Sequence, residues 1–212
     1  MPRTPKPSGR KLPDKGEQLS QKRVVKTRST RPVFLIVCEG KQTESNYFKA
    51  FELHLHLSIT VEVVGLGDNT LNLVRQAGKR AKQGAYSQVW CVFDRDSFPA
   101  GQFNEALVLA EREGFKVAYS NEAFELWYLL HFYYHDTGIA RVLYEDKLTE
   151  RLGKPYRKND PAMYRLLEDL QPAAIRNAQT LLDSYGEVHN PEQDNPCTTV
   201  HLLVQELNRH AP

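Results

Sequence analysis

The chain alternates between short, continuous apolar runs and longer stretches whose apolar residues recur every three or four positions. Short runs rich in β-branched residues are typical of buried strands, and helical spacing is typical of amphipathic helices. The predicted strands cover residues 33–38, 59–64, 89–94 and 115–119. The predicted helices cover residues 43–55, 70–82, 103–112 and 121–132. This alternation predicts an α/β fold with a mostly parallel four-stranded sheet flanked by helices.

The pattern changes after about residue 135. No convincing strand follows, and residues 141–152 and 161–185 have helical spacing. A last helix is expected to open after Asn195-Pro196-Cys197-Thr198-Thr199. We therefore expect a sheet core over about residues 32–135 and a helical C-terminal extension over about 136–212.

The first 31 residues differ from everything that follows. They carry a net charge of +8, whereas the remainder carries −6, and they hold almost no large apolar residue before Val24. Such a segment cannot bury enough surface to offset its ordering entropy, so we predict a disordered basic arm over residues 1–31. A flexible cationic arm suits a polyanion, because each cation that meets a phosphate releases a counterion. Candidate nucleic-acid contacts in the arm are Arg10, Lys11, Lys22, Arg23, Lys26 and Arg28.

Composition bears on where in the cell the protein is found. The chain has 212 residues, 41% of them hydrophobic, and it shows neither a signal peptide nor an apolar stretch of membrane-spanning length. Two of its three cysteines, Cys38 and Cys91, lie inside predicted strands and are expected to be buried free thiols. These features favour a cytoplasmic protein that does not contact a membrane.

Two of the predicted strands end in acidic residues. Glu39-Gly40 follows the first strand, and Asp94-Arg95-Asp96 closes the third. Parallel strands present their carboxyl ends at one edge of a sheet, where ligands bind. Carboxylates gathered there repel one another unless a cation neutralises them, and oxygen ligands suit Mg²⁺ or Mn²⁺. We therefore predict a metal site formed by Glu39, Asp94 and Asp96.

Other protein classes use part of this pattern. Haloacid-dehalogenase-type phosphatases need Thr or Val two residues after the second Asp, where this chain has Phe98. Metal-dependent glycosyltransferases use an Asp-x-Asp pair to bind a nucleotide-sugar diphosphate, but this interpretation does not explain Glu39-Gly40 at the end of the first strand. Gly65-x-Gly67 resembles a phosphate-binding turn, but the dinucleotide fingerprint fails at Thr70.

Further candidate site residues lie away from the ends of the predicted strands. Glu125, in the first turn of a predicted helix, either favours the helix dipole or is an outer metal ligand. His131 is a candidate proton donor or a core histidine. Lys154, Arg157 and Lys158 are either solvated or positioned to bind a phosphate, and Lys158 is the preferred candidate for stabilising the leaving oxygen.

Four ordered blocks of the chain resemble the RloB-like family. They read FLIVCEGKQTExxYF over 34–48, VFDRD over 92–96, SNxxFExWxxxHF over 120–132 and NPxT over 195–198. The resemblance spans about residues 32–210. One departure is Glu122-Ala123, where a Pro is expected near the start of the third block.

The resemblance implies more than the residues do alone. The family is similar to TOPRIM-fold proteins, the metal-binding domain of topoisomerases, primases and overcoming-lysogeny-type nucleases. By that similarity Glu39 matches the general acid/base and sometime metal ligand, and Asp94 and Asp96 match the metal-binding aspartates. The implied biology is phage defence, by abortive infection or in association with restriction. The chain carries no ATPase motif, so any ATPase partner is expected to be a separate protein.

The leading hypothesis is a Mg²⁺- or Mn²⁺-dependent nuclease acting on DNA or RNA. The alternatives are a non-catalytic module that binds nucleic acid or nucleotides and a glycosyltransferase-like use of the Asp-x-Asp pair. The sequence distinguishes neither DNA from RNA nor cleavage from ligation, and it predicts no oligomeric state.

Overall fold

A computed structural model describes residues 31–55, 59–67, 69–95 and 100–212. The strands are β1 (Val33–Cys38), β2 (Thr60–Gly65), β3 (Gln88–Asp94), β4 (Lys116–Asn121) and β5 (Cys197–Thr198). The helices are α1 (Thr43–Leu55), α2 (Thr70–Ala81), α3 (Ala100–Arg112), α4 (Glu125–Leu130), α5 (Arg141–Leu152), α6 (Met163–Leu167), α7 (Gln171–Asp183) and α8 (Val200–Asn208). None of the helices in this part of the chain combines the length and the apolar character needed to cross a membrane.

The strands form one sheet in the order β2-β1-β3-β4-β5. The first four are parallel, and β5 pairs antiparallel with β4. The predicted α/β fold, a mostly parallel sheet flanked by helices, is confirmed. Because β1 and β3 are neighbours, with Cys38 opposite Val92, their acidic ends meet at the same edge.

Side chains of β1 alternate between the two faces of the sheet, as the period of a strand requires. Phe34 and Ile36 join a core with α1, α4 and the C-terminal helices. Leu35 and Val37 join a second core with α2 and α3. Covering both faces buries β1 almost completely, which explains its continuous apolar run.

The expectation that the C-terminal third holds no strand was wrong. β5 has only two residues, too few for a periodic signal, and it adds an edge to the sheet. The helix predicted to begin at residue 121 begins at Glu125, and Ser120 and Asn121 end β4 instead. Their side chains bond across to the β5 region: the Ser120 hydroxyl lies 3.0 Å from that of Thr198, and the Asn121 amide donates to the carbonyl of Asp194 at 3.0 Å.

The helix predicted over 161–185 is divided in two. α6 ends at Leu167, a 3-10 turn covers Glu168–Leu170, and α7 follows. Pro172 lies in the first turn of α7. Proline has no N–H to donate and cannot occupy a helix interior without breaking it, so the helix has to restart there. The prediction of buried free thiols at Cys38 and Cys91 is confirmed, and Cys197 is a third.

Candidate active site

Glu39 lies where β1, β3 and α2 meet. Its backbone N–H donates to the carbonyl of Val92 at 2.8 Å, which extends the sheet ladder by one residue. Its carboxylate oxygen Oε2 accepts the backbone N–H of Asp94 at 3.3 Å and the hydroxyl of Thr70 at 3.5 Å. The structure therefore brings together the two acidic strand ends that the sequence singled out.

Glu44 is a second carboxylate at this edge, and it is 6% exposed. It lies in the first turn of α1, folded back over Gly40. A Cβ at Gly40 would stand 2.0 Å from Glu44 Oε2, so glycine is what leaves room for this carboxylate. The Ser45 hydroxyl donates to the Gly40 carbonyl at 2.7 Å and fixes the turn against the helix.

Glu125, the first residue of α4, is 4% exposed and points into the same site. The loop before α6 covers it: the Tyr156 hydroxyl donates to Glu125 Oε1 at 3.0 Å. Lys158 Nζ lies 4.0 Å from that oxygen and 3.1 Å from Glu145 Oε1. The Thr43 hydroxyl donates to the Lys158 carbonyl at 3.2 Å, which holds this loop against the start of α1.

Arg141, the first residue of α5, contributes a guanidinium. Its Nη2 donates to Asp94 Oδ2 at 2.8 Å and to the carbonyl of Glu122 at 3.1 Å. Its backbone N–H donates to Glu122 Oε2 at 2.9 Å. Glu122, the departure from the family block, thus accepts from both ends of Arg141.

Some of these groups line an open cavity of about 510 Å³. Its charged lining residues are Lys41, Glu44, Asp94, Glu125, Arg141 and Lys158. Sequence reasoning missed Glu44 and Arg141 as site residues. Glu44 carried a signal, since it lies in the block that contains Glu39, but an acidic first-turn residue is also explained by the helix dipole. Arg141 carried no local signal, because 47 residues separate it from Asp94.

Burial and mutual repulsion perturb the carboxylates. Burial raises the pKa of Asp94 well above its usual value, and Glu44 and then Glu125 and Glu39 raise it further, against the opposing Arg141. Burial also raises the pKa of Glu44, with a further contribution from Glu125, while the backbone N–H groups of Glu44 and Gly40 oppose the shift. Ionising the whole cluster is therefore costly without an added positive charge.

The donor chemistry at this edge fits a hard divalent cation. The groups are oxygen donors only, and their repulsion would be relieved by positive charge. Among residues 31–55, 59–67, 69–95 and 100–212, no three Asp, Glu, His or Cys side chains stand in a metal-ligating arrangement. Asp94 instead directs an oxygen at Arg141.

Three further candidates from the sequence, which the structure does describe, do not line this cavity. His131 is buried against Trp127, its Nδ1 lies 2.8 Å from the Trp127 carbonyl, and burial lowers its pKa to about 4. Lys154 and Arg157 line a separate cavity of about 470 Å³, where Lys154 pairs with Asp160 at 3.0 Å. Asp96 lies outside the described residues, as do the candidate contacts of the arm: Arg10, Lys11, Lys22, Arg23, Lys26 and Arg28.

Comparisons with known proteins agree with the sequence blocks. The family model described as RloB-like protein matches residues 34–207. That span contains every described residue of the site, from Glu39 to Lys158. Neither the curated proteins nor the solved structures gave a match. On the strength of the family model, which covers most of the chain, this protein belongs to the RloB-like family.

Proposed function

We propose that the protein is a Mg²⁺- or Mn²⁺-dependent nuclease that cleaves phosphodiester bonds of DNA or RNA. The observation that carries the proposal is the gathering of Glu39, Glu44, Asp94 and Glu125 at one sheet edge. Three of them, Glu44, Asp94 and Glu125, line one cavity with Arg141 and Lys158. A metal-bound phosphate needs both kinds of group. Carboxylates bind the metal ion, and cationic side chains bind the phosphate oxygens.

Each residue has a proposed part in this chemistry. Asp94, Glu44 and Glu125 would hold the ion, together with Asp96 by resemblance to the TOPRIM pattern. The bound ion would stabilise negative charge on the phosphate and lower the pKa of an attacking water. Glu39 is held by Thr70 and the Asp94 backbone, and it would take the proton of that water. Lys158 would stabilise charge on the leaving oxygen.

The biological setting is also a proposal. The family's association with restriction and abortive infection supports a role in phage defence, and the +8 charge of residues 1–31 supports a polyanionic substrate. An ATPase partner, if one takes part, would be a separate protein.

The test is cleavage of single- and double-stranded DNA and RNA in Mg²⁺, in Mn²⁺ and in chelator. We expect metal-dependent cleavage by the wild type and a fall of at least about 10²-fold in Glu39→Ala and Asp94→Ala. Glu111→Ala, an exposed carboxylate on α3, is the matched control and should cleave like the wild type. Equal cleavage by all four proteins would refute the mechanism.

One observation favours a second candidate, a binding module that does no chemistry. The Arg141–Asp94 ion pair neutralises one carboxylate without a metal. A site that no longer binds an ion would need such a positive charge beside its carboxylates. This candidate predicts salt-sensitive nucleic-acid binding with no turnover in either metal.

A further inference from the structure

Asp94 forms a close ion pair with Arg141 at the centre of the carboxylate cluster. Arg141 Nη2 stands 2.8 Å from Asp94 Oδ2, whereas Lys158 stays 4.0 Å from Glu125 and pairs more closely with Glu145. The Asp94 side chain is 12% exposed, so the carboxylate end of the pair is largely shielded from water. Charge-assisted bonds of this length are strong ones.

The position of Arg141 is set from outside the cluster. Glu122 accepts the backbone N–H at the start of α5 and, through its carbonyl, the same Nη2 that reaches Asp94. The backbone is therefore fixed at the cavity rim, whereas the side chain is 38% exposed and has open space of about 510 Å³ beside it. A guanidinium anchored in this way can leave Asp94 by side-chain rotation while α5 stays in place.

We infer that Arg141 takes the place of the divalent ion at Asp94. Its guanidinium pairs with that carboxylate when no ion is bound, and a metal ion has to displace it in order to bind. This inference rests on the proposed function, because it takes the carboxylate cluster as the ion's site. It explains why the donor chemistry fits a cation while the described side chains form no ligating group. It also assigns Arg141 a positioning role, since the displaced guanidinium stays on the cavity that receives the phosphate.

Displacement of Arg141 by the ion predicts a change in metal affinity and a change in stability. Removing the charge of Arg141 should make the ion bind more tightly, because the ion no longer competes with a cation or sits beside one. The same change should weaken the unloaded protein, because Asp94 is then a buried carboxylate beside Glu44, Glu125 and Glu39 with its close cation removed. Metal should restore that stability.

The experiment is calorimetric titration of the full chain with Mn²⁺ in the absence of nucleic acid. We expect Arg141→Met to bind Mn²⁺ at least about tenfold more tightly than the wild type. Arg141→Lys keeps the charge and should stay within about threefold of the wild type. Arg176→Met, an exposed cation on α7, is the matched control and should not change the affinity. Thermal unfolding should show a lower Tm for Arg141→Met without Mn²⁺ and a larger rise on adding it.

The outcomes separate this inference from the proposed function. Equal Mn²⁺ affinity in Arg141→Met and wild type overturns the inference and leaves the proposed function standing. Absence of Mn²⁺ binding in both overturns the two together. A crystal structure of the wild type grown with Mn²⁺ tests the inference even if the variant does not fold. We expect Arg141 to have left Asp94 Oδ2. A guanidinium still bonded to that oxygen beside an Asp94-bound ion would overturn the inference.

Discussion

At the scale of single residues, the site depends on how closely its carboxylates can be brought together. Two features permit this: Glu44 folds over a residue without a side chain, and Glu39 is held by the backbone N–H of Asp94. A short sequence block, Glu39-Gly40 followed by Glu44, thus places two of the four carboxylates. Such an arrangement is sensitive to a single added carbon atom.

Gly40→Ala tests this sensitivity. The new Cβ would lie 2.0 Å from Glu44 Oε2 and 2.8 Å from its Cδ, so the Glu44 carboxylate has to move. A misplacement of about 1 Å costs roughly 10²-fold in rate, and we expect metal-dependent cleavage to fall by at least about tenfold. Gly101→Ala is the control, since a Cβ there meets nothing within 4 Å. Equal rates for the two variants would show that the position of Glu44 does not matter.

The residues that sequence reasoning found and missed differ in one physical respect. Glu39 and Asp94 follow or end apolar strands, so the parallel direction of the strands predicts that they lie at the same edge of the sheet. Arg141 reaches the site only because α5 begins near Glu122, and no periodicity encodes that placement. Asp96 remains a prediction, since it lies outside the described residues.

At the scale of elements, the chain is easiest to predict where one period holds over a full strand or helix. The four parallel strands and α5 follow from such patterns, and α5 begins and ends where its spacing indicated. The short β5 and the break before Pro172 do not, because the first is set by a partner strand and the second by one missing N–H. Thr198, which ends the fourth sequence block, is the second residue of β5.

Thr198→Val tests how β5 is held. The Thr198 hydroxyl donates to the Tyr119 carbonyl at 3.1 Å, accepts the Val200 N–H at 3.3 Å and lies 3.0 Å from the Ser120 hydroxyl. Valine keeps the shape but removes these three interactions and leaves the Val200 N–H without this acceptor, so the free energy of unfolding in urea should fall by about 1–3 kcal/mol. Thr180→Val, on an exposed position of α7, should change it by less than about 0.5 kcal/mol. Equal changes in the two variants would contradict this account of β5.

At the scale of the whole molecule, two properties extend beyond any one element. Buried histidines link stability to pH, and the separation of charge between residues 1–31 and the remainder links binding to salt. Both can be measured without knowing the substrate sequence.

Acid should destabilise the protein through His131 and His201, because burial lowers the pKa of each to about 4. The unfolded forms titrate near 6.5, so between these values the unfolded chain binds more protons and stability is lost as pH falls. Each histidine contributes up to about 1.4 kcal/mol per pH unit. The free energy of unfolding of His131→Phe, measured in urea from pH 4.5 to 6.5, should depend less steeply on pH than that of the wild type.

Parallel stability curves for His131→Phe and wild type would contradict the buried, neutral state of His131. The same variant also tests its candidate role as a proton donor. Cleavage that persists in His131→Phe identifies a core residue, and cleavage that disappears in a folded protein supports the catalytic assignment.

Deletion of residues 1–31 should weaken nucleic-acid binding and flatten its salt dependence. The segment contributes ten of the chain's 28 basic residues, and removing one cation–phosphate interaction lowers the slope of log affinity against log salt by about 0.7–0.9. The measurement is fluorescence anisotropy of a labelled oligonucleotide between about 50 and 200 mM salt, the range over which phosphate interactions dominate. An unchanged slope after deletion would show that the segment does not bind phosphates.

The central claim is that the carboxylates at the ends of β1 and β3 carry out metal-dependent phosphodiester cleavage. The most direct measurement is the single-turnover cleavage rate in Mn²⁺ of Asp94→Asn, which removes one negative charge and keeps the shape of the side chain. We predict a fall of at least about 10²-fold, with Asp169→Asn, an exposed carboxylate outside the site, cleaving at the wild-type rate. Cleavage by Asp94→Asn at the wild-type rate, in a folded protein, would contradict the account.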